Sequence, residues 1–157
     1  MPTSFIQSAI AISVMTNAVI YGIDVFSGLI MRPVYTRVDT ATMTVMAGLG
    51  HHYGDKRLPI VGITGYATAV AAMIAAFVTG HSGTALWCTV AVAALTVWLA
   101  LYAFVAKPIN TRQTGAALSG VIPSDAEELQ ERWDSVMPAR IALQTVALAA
   151  LVIALAI

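Results

Sequence analysis

The sequence predicts an all-α membrane fold, a bundle of four transmembrane helices, and three observations carry that prediction. Of its 157 residues, 59% are hydrophobic and only 10% charged, and the mean hydropathy is +0.81. Apart from Asp24, every charged residue falls within Arg32–Arg57 or Lys107–Arg140. What remains is four apolar runs, at about residues 4–31, 58–79, 84–106 and 138–157. Helices and strands of a water-soluble domain keep a polar side, whereas these runs are nearly continuous apolar sequence.

The first run exceeds the roughly 20 residues that cross a hydrocarbon core, so it is expected to tilt or to project into the headgroups. It has no basic leader and continues into Arg32-Pro33 without a convincing cleavage site, so it reads as a retained anchor rather than a signal peptide. The second run opens at Leu58-Pro59, where proline suits a first helical turn. Its Gly62, Gly65, Ala67, Ala69, Ala71 and Ala72 permit close helix packing or a homo-oligomer. Gly80–Gly83 turns the chain into the third run, and Pro138 opens the fourth with Arg140 one turn inside. Backbone amides in lipid must pair within their own segment, so each run is a helix, and 1–157 reads as a single four-helix domain.

Four spans bring the first and third polar segments out on the same side. All eight Lys and Arg residues then lie on one face, which the positive-inside rule makes cytoplasmic. The expected protein is a multi-pass protein of the plasma (inner) membrane, surrounded by lipid, with both termini non-cytoplasmic. A formal net charge of zero offers no handle for nucleic acid, and the lone Cys88 excludes an internal disulfide.

The chain also repeats itself. Arg32-Pro33-Val34-Tyr35-Thr36-Arg37 closes the first run and Lys107-Pro108-Ile109-Asn110-Thr111-Arg112 the third, and at the same offset Arg57 falls on Arg132. Two parallel copies of a helical hairpin follow, related by an axis along the membrane normal. The copies differ in polarity: Asn17, Tyr21, Asp24 and Gly28 form one helical stripe on the first run, which the third lacks. A carboxylate at that depth costs several kcal/mol unless it finds a cavity or a counter-charge, so Asp24 faces inward, either at a site or in a structural pair with Arg140 or Arg112.

Between the spans, short cytoplasmic interfacial helices are expected. Asp39 caps a helix over Thr40–Leu49 that Gly48 and Gly50 end, and His51–Arg57 follows as a polar turn. His51 and His52 lack the i+3 or i+4 His–His spacing of a metal site, so no metal is expected. Ser124-Asp125-Ala126-Glu127 reads as a capping box, followed by an i, i+4 pair, Glu128 and Arg132. That helix places Ala126, Leu129, Trp133 and Val136 on one side, lying in the interface or folded over the bundle mouth. Asp24, Asn110, Arg112, Trp133, Arg140, His51 and His52 thus belong near one level of the membrane, where a pocket would suit a hydrophobic or aromatic small molecule.

Lys107-Pro108-Ile109-Asn110-Thr111-Arg112, Arg132-Trp133 and Arg140, set among four spans, resemble the anthrone oxygenase-like family of small four-helix membrane proteins. Pro108 with Asn110, Trp133 and Arg140 match that family's recurring elements, whereas Met137 stands where a His is common. The resemblance implies oxidation of an anthrone-type substrate by dioxygen without a cofactor. It makes Asp24 or His52 the base, Arg112 and Arg140 the anion holders and Asn110 the orienting group, with Asn17, Tyr21 and Trp133 against the substrate. Two other classes fit the same residues: a non-enzymatic membrane subunit or scaffold, and a small lipid-binding or transport protein.

Overall fold

The computed structural model describes residues 2–157, which form seven α-helices: α1 (Pro2–Phe26), α2 (Arg32–Tyr35), α3 (Thr40–Val78), α4 (Ser82–Leu101), α5 (Lys107–Ser119), α6 (Ala126–Ser135) and α7 (Met137–Ala156). They assemble into four helical rods, Thr3–Tyr35, Thr40–Val78, Ser82–Ser119 and Ala126–Ala156, each long and apolar enough to cross a membrane. The rods close into a ring in chain order, α1 on α3, α3 on α4, α4 on α7 and α7 on α1. The expected four-helix bundle is the fold.

Small side chains hold one half of the ring together. Ala69, Ala72 and Ala76 of α3 pack with Ile6 and Ile10 of α1, Ala85, Cys88 and Ala91 of α4, and Ala147 and Leu151 of α7. Residues this small let helix backbones approach closely, which is how packing stabilises helices when lipid is as apolar as the core. Ser13 Oγ adds a hydrogen bond of 2.8 Å to the Gly65 carbonyl across the α1–α3 contact.

The repeat has a structural counterpart. Ser27–Met31 and Tyr102–Ala106 are both π-helical turns of five residues, and they stand at the same offset as the Arg-Pro and Lys-Pro motifs that follow them. Proline cannot donate to the carbonyl four residues back, and its ring collides with that carbonyl in an α-helix. For Pro33 and Pro108 those carbonyls belong to Leu29 and Phe104, inside the two π turns. Widening the turn relieves the clash, and the amides of Arg32 and Lys107 bond five residues back, to Ser27 and Tyr102. The helices therefore do not end at residues 31 and 106, as the basic-proline motifs suggest, but run on to Tyr35 and Ser119.

The charged segments are also more helical than expected. No break occurs at Gly48 or Gly50, and His51–Arg57 and Pro59 all lie within α3. At 39 residues α3 is about 58 Å long, nearly twice what a hydrocarbon core requires. Its first half packs against α5. Gly48 is there for proximity, since a Cβ on it would collide with the Gln113 carbonyl and with Ala117. After the π turns the two halves diverge, because α2 has four residues and α5 thirteen, so Arg57 well inside α3 and Arg132 late in α6 are not equivalent places.

Local expectations divide in the same region. Asp39 does cap α3, accepting from the Thr42 amide at 2.8 Å. The capping box before α6 does not form: Asp125 is the N-cap and makes no side-chain cap bond, while the Glu127 carboxylate accepts from the Thr40 hydroxyl instead. Ala126, Leu129 and Trp133 face inward as expected, joined by Gln130.

These contacts separate two neighbouring glycines. Gly48→Ala is expected to destabilise the protein by about 1–3 kcal/mol through overpacking. Gly50→Ala, whose Cβ would meet nothing within 4 Å, is expected to be neutral or to stabilise by up to about 1 kcal/mol. Thermal unfolding in detergent measures both.

Candidate functional site

Where the apolar half of the bundle meets the charged half, α1 and α3 part and leave a cavity of about 530 Å³, a size typical of small-molecule sites. Its inner wall is set by one ion pair. Arg140, entering on α7, donates from Nη2 to Asp24 Oδ1 at 2.7 Å, and the indole Nε1 of Trp98 donates to Asp24 Oδ2 at 3.0 Å. Both charged side chains are buried. Asp24 thus pairs with Arg140, one of the two partners its depth called for, and each of its oxygens is engaged.

Aromatic rings surround the cation. The guanidinium carbon of Arg140 lies 5.3 Å from the Trp98 ring centroid and 5.7 Å from that of Trp133, within cation–π range. Arg140 is only 6% exposed, and its Nε has no partner. Gln144, one turn further along α7, is buried with neither amide atom partnered, so the polar interior continues past the pair.

A second carboxylate, Asp55, also lines the cavity. Asp55 accepts from the Tyr102 hydroxyl at 2.8 Å, from Lys107 Nζ at 2.9 Å and, more weakly, from Asn110 Nδ2 at 3.3 Å. Asn110 in turn accepts from Trp133 Nε1 at 3.0 Å. Tyr102 stacks on Trp98, with ring centroids 5.9 Å apart and planes within 4°. A chain of contacts therefore runs from Arg140 through Asp24, Trp98, Tyr102, Asp55 and Asn110 to Trp133. The Trp133 ring lies 5.3 Å from His51, which also lines the cavity.

Of the residues singled out in the sequence, Asp24, His51, Asn110, Trp133 and Arg140 meet here. Trp133 is buried over the mouth of the bundle rather than set among headgroups. Arg112 does not join them: it points outward and grips Asp125 with two hydrogen bonds of 2.8 and 2.9 Å. Those bonds hold the Asp125 carboxyl below the usual carboxylate range. His52 turns away toward Lys56, 3.0 Å off. Asn17 spends its amide on Ser13, 2.9 Å to the carbonyl, and neither it nor Tyr21 lines the cavity. Among the described residues no three His, Cys, Asp or Glu side chains gather as a metal-ligand set.

Sequence reading did not single out Trp98 or Tyr102, and it weighed Asp55 only as a partner of the paired histidines in a metal site. A signal existed for Asp55, which sits three and four residues from two histidines and could have been phased with Leu58 and Gly62 had α3 been read as one helix. Trp98 and Tyr102 share an i, i+4 face of an otherwise apolar run, and nothing in the run marks that face as inner.

No family model matches this chain, and no curated protein or solved structure matches it. The fold and the site together define a bundle of four long apolar helices around an aromatic-walled cavity with one buried ion pair.

Removing one member of such a pair leaves an uncompensated charge, whereas replacing both with apolar residues need not be costly. Asp24→Leu and Arg140→Met are each expected to destabilise the protein by about 3–5 kcal/mol. The double variant should recover most of that loss. A double-mutant cycle from unfolding in detergent reads the coupling, and additive losses would show that the two charges do not depend on each other.

Proposed function

We propose that this chain is a multi-pass plasma-membrane protein that binds a flat phenolic or anthrone-type molecule in the cavity and promotes its oxidation by dioxygen. The observation that carries the reading is the buried Arg140, which lines the cavity with its guanidinium within cation–π range of two indole rings. Flat aromatic walls suit a flat ring, and a pre-oriented cation in a dry site favours the ionised form of a phenol or enol. The resemblance of Pro108, Asn110, Trp133 and Arg140 to the anthrone oxygenase-like pattern points the same way.

The reaction needs a proton acceptor, and Asp24 is poorly placed for it because Arg140 and Trp98 already occupy its two oxygens. His51 takes that role in this proposal: it lines the cavity next to Trp133 and compensates for Met137, which stands where the family pattern has a His. The imidazole removes one proton from the methylene carbon of the anthrone. The electron pair delocalises onto the ring oxygen facing Arg140, and the carbanion form bonds dioxygen. The resulting peroxide takes the proton back from His51 and loses water, leaving a carbonyl. One methylene and one dioxygen give one carbonyl and one water, so the sequence balances without another electron donor. General acid–base help of this kind contributes about 10²–10⁴-fold.

All eight Lys and Arg residues lie in the charged half of the molecule, which supports a cytoplasmic location for that half and non-cytoplasmic termini.

Two experiments test the reading. Protein in nanodiscs should accelerate conversion of anthrone to anthraquinone, consuming one dioxygen per product. His51→Ala should lower kcat about 10²–10⁴-fold with KM little changed and should remove the acid limb of the pH profile. Unchanged turnover in His51→Ala would take the proton-transfer role from it, and a wild-type protein with no activity would end the oxygenase reading. For topology, single cysteines placed in a Cys88→Ser background beside His81 should label only from outside, and those beside Arg37 only from the cytoplasm.

A further inference from the structure

The cavity, at about 530 Å³, is larger than a ring beside Arg140 requires. Gly50, Gly54 and Gly62 of α3 all line it, at four-residue steps that Leu58 completes, on a strip about 18 Å long. A Cβ on Gly50 or Gly62 would meet nothing within 4 Å, and one on Gly54 would touch only the tip of Leu58 at 3.6 Å. The glycines therefore leave open space rather than admit another helix. This contrasts with Gly48 and Gly65, whose missing Cβ atoms let α5 and α1 approach.

The strip runs from polar to apolar. His51, Asp55 and Asn110 stand at the charged end, Arg140 and Asp24 come next, and Ile20, Ile23 and Ile63 line the end that reaches into the apolar half. Beyond that end the way is shut, because Asn17 closes on Gly65 and the alanine-rich core follows. To the side it is not shut. Ile63, Phe26 and Ile23 line the cavity yet are 68%, 53% and 38% exposed, so the same side chains are cavity wall and outer surface. They sit within the apolar stretches of α1 and α3, where the surroundings are acyl chains.

From the buried cation, the glycine strip and this lateral gap, we infer that the natural ligand is a flat phenolic or anthrone-type ring bearing a long apolar chain. The ring sits at Arg140, and the chain lies over Gly62 and leaves between α1 and α3 into the bilayer. The inference rests on the phenolic-site reading above and adds the chain and the route. Its polarity matches a lipid of the cytoplasmic leaflet, head toward the charged half and tail toward the midplane, so the ligand enters by sliding sideways without turning over. Burying the chain in the cavity rather than in water is favourable, but lipid offers the same gain. The chain therefore adds affinity only through shape, by filling the strip.

The test uses the full chain in phosphatidylcholine nanodiscs and two tritiated probes, methylhydroquinone and its decyl-substituted analogue. Binding is read as a function of each probe's mole fraction in the lipid, so that partitioning cancels. The decyl probe is expected to bind at least tenfold more tightly. Gly62→Phe and the rim variant Ile63→Trp, each checked for unchanged unfolding temperature, should remove that advantage and leave the methyl probe's affinity as it was. Equal affinities in the wild type, or an advantage that survives both variants, would overturn the chain and its route while leaving the phenolic site in place. If neither probe binds the wild-type protein, the phenolic site fails and this inference fails with it.

Discussion

The pairing of Asp24 with Arg140 is the constraint on which the arrangement of this molecule depends. Neither charge could be left alone in an apolar bundle, since an unpaired buried ion costs far more than any packing contact nearby returns. Satisfying both requires α1 and α7 to lie side by side at one rotation and one depth. Trp98 supplies the second hydrogen bond to the carboxylate, which places α4 across the bundle. Gly28 then allows α1 to close on α7, because its bare Cα faces Met137 and Ile141 where a Cβ would sit only 3.2 Å from each. A single electrostatic requirement thereby orients three of the four rods.

The surroundings of Asp55 are built differently. Asp55 is half-buried, and its three donors come from Tyr102, Lys107 and Asn110, across the junction of the π turn with α5. The Lys107 side chain is 46% exposed, whereas both members of the Asp24–Arg140 pair are buried. The alanine core beyond Gly65 separates both carboxylates from the far end of the bundle.

The fold was legible because apolar length and the confinement of charge determine a four-helix membrane bundle almost without regard to detail. Asp24 was legible as an inward residue for the same energetic reason. The choice between Arg140 and Arg112 was not, because both are arginines expected at similar depth. What separates them is helical phase, and the π turn shifts that phase by one residue just before α5, turning Arg112 outward to Asp125. His51 and His52 show the same limit: adjacent residues on a helix point about 100° apart, and here His51 lines the cavity while His52 does not. Knowing which requires knowing that α3 is unbroken from Thr40. Reading Gly48 and Gly50 as stops concealed that continuity. Gly48 has a tertiary role, in letting α5 approach, which no local rule reveals. The capping box failed for a related reason, since Glu127 and Asp125 found better partners on other elements.

The paired π turns also set a phase. A π turn is an α-helix carrying one extra residue, and an extra residue in the middle of a helix rotates everything after it by about 100°. Both turns stand immediately before a basic-proline motif, so in each half the charged segment is rephased as a unit against the apolar helix that precedes it. The faces packed together in the alanine-rich half of the bundle therefore do not dictate which faces meet in the charged half.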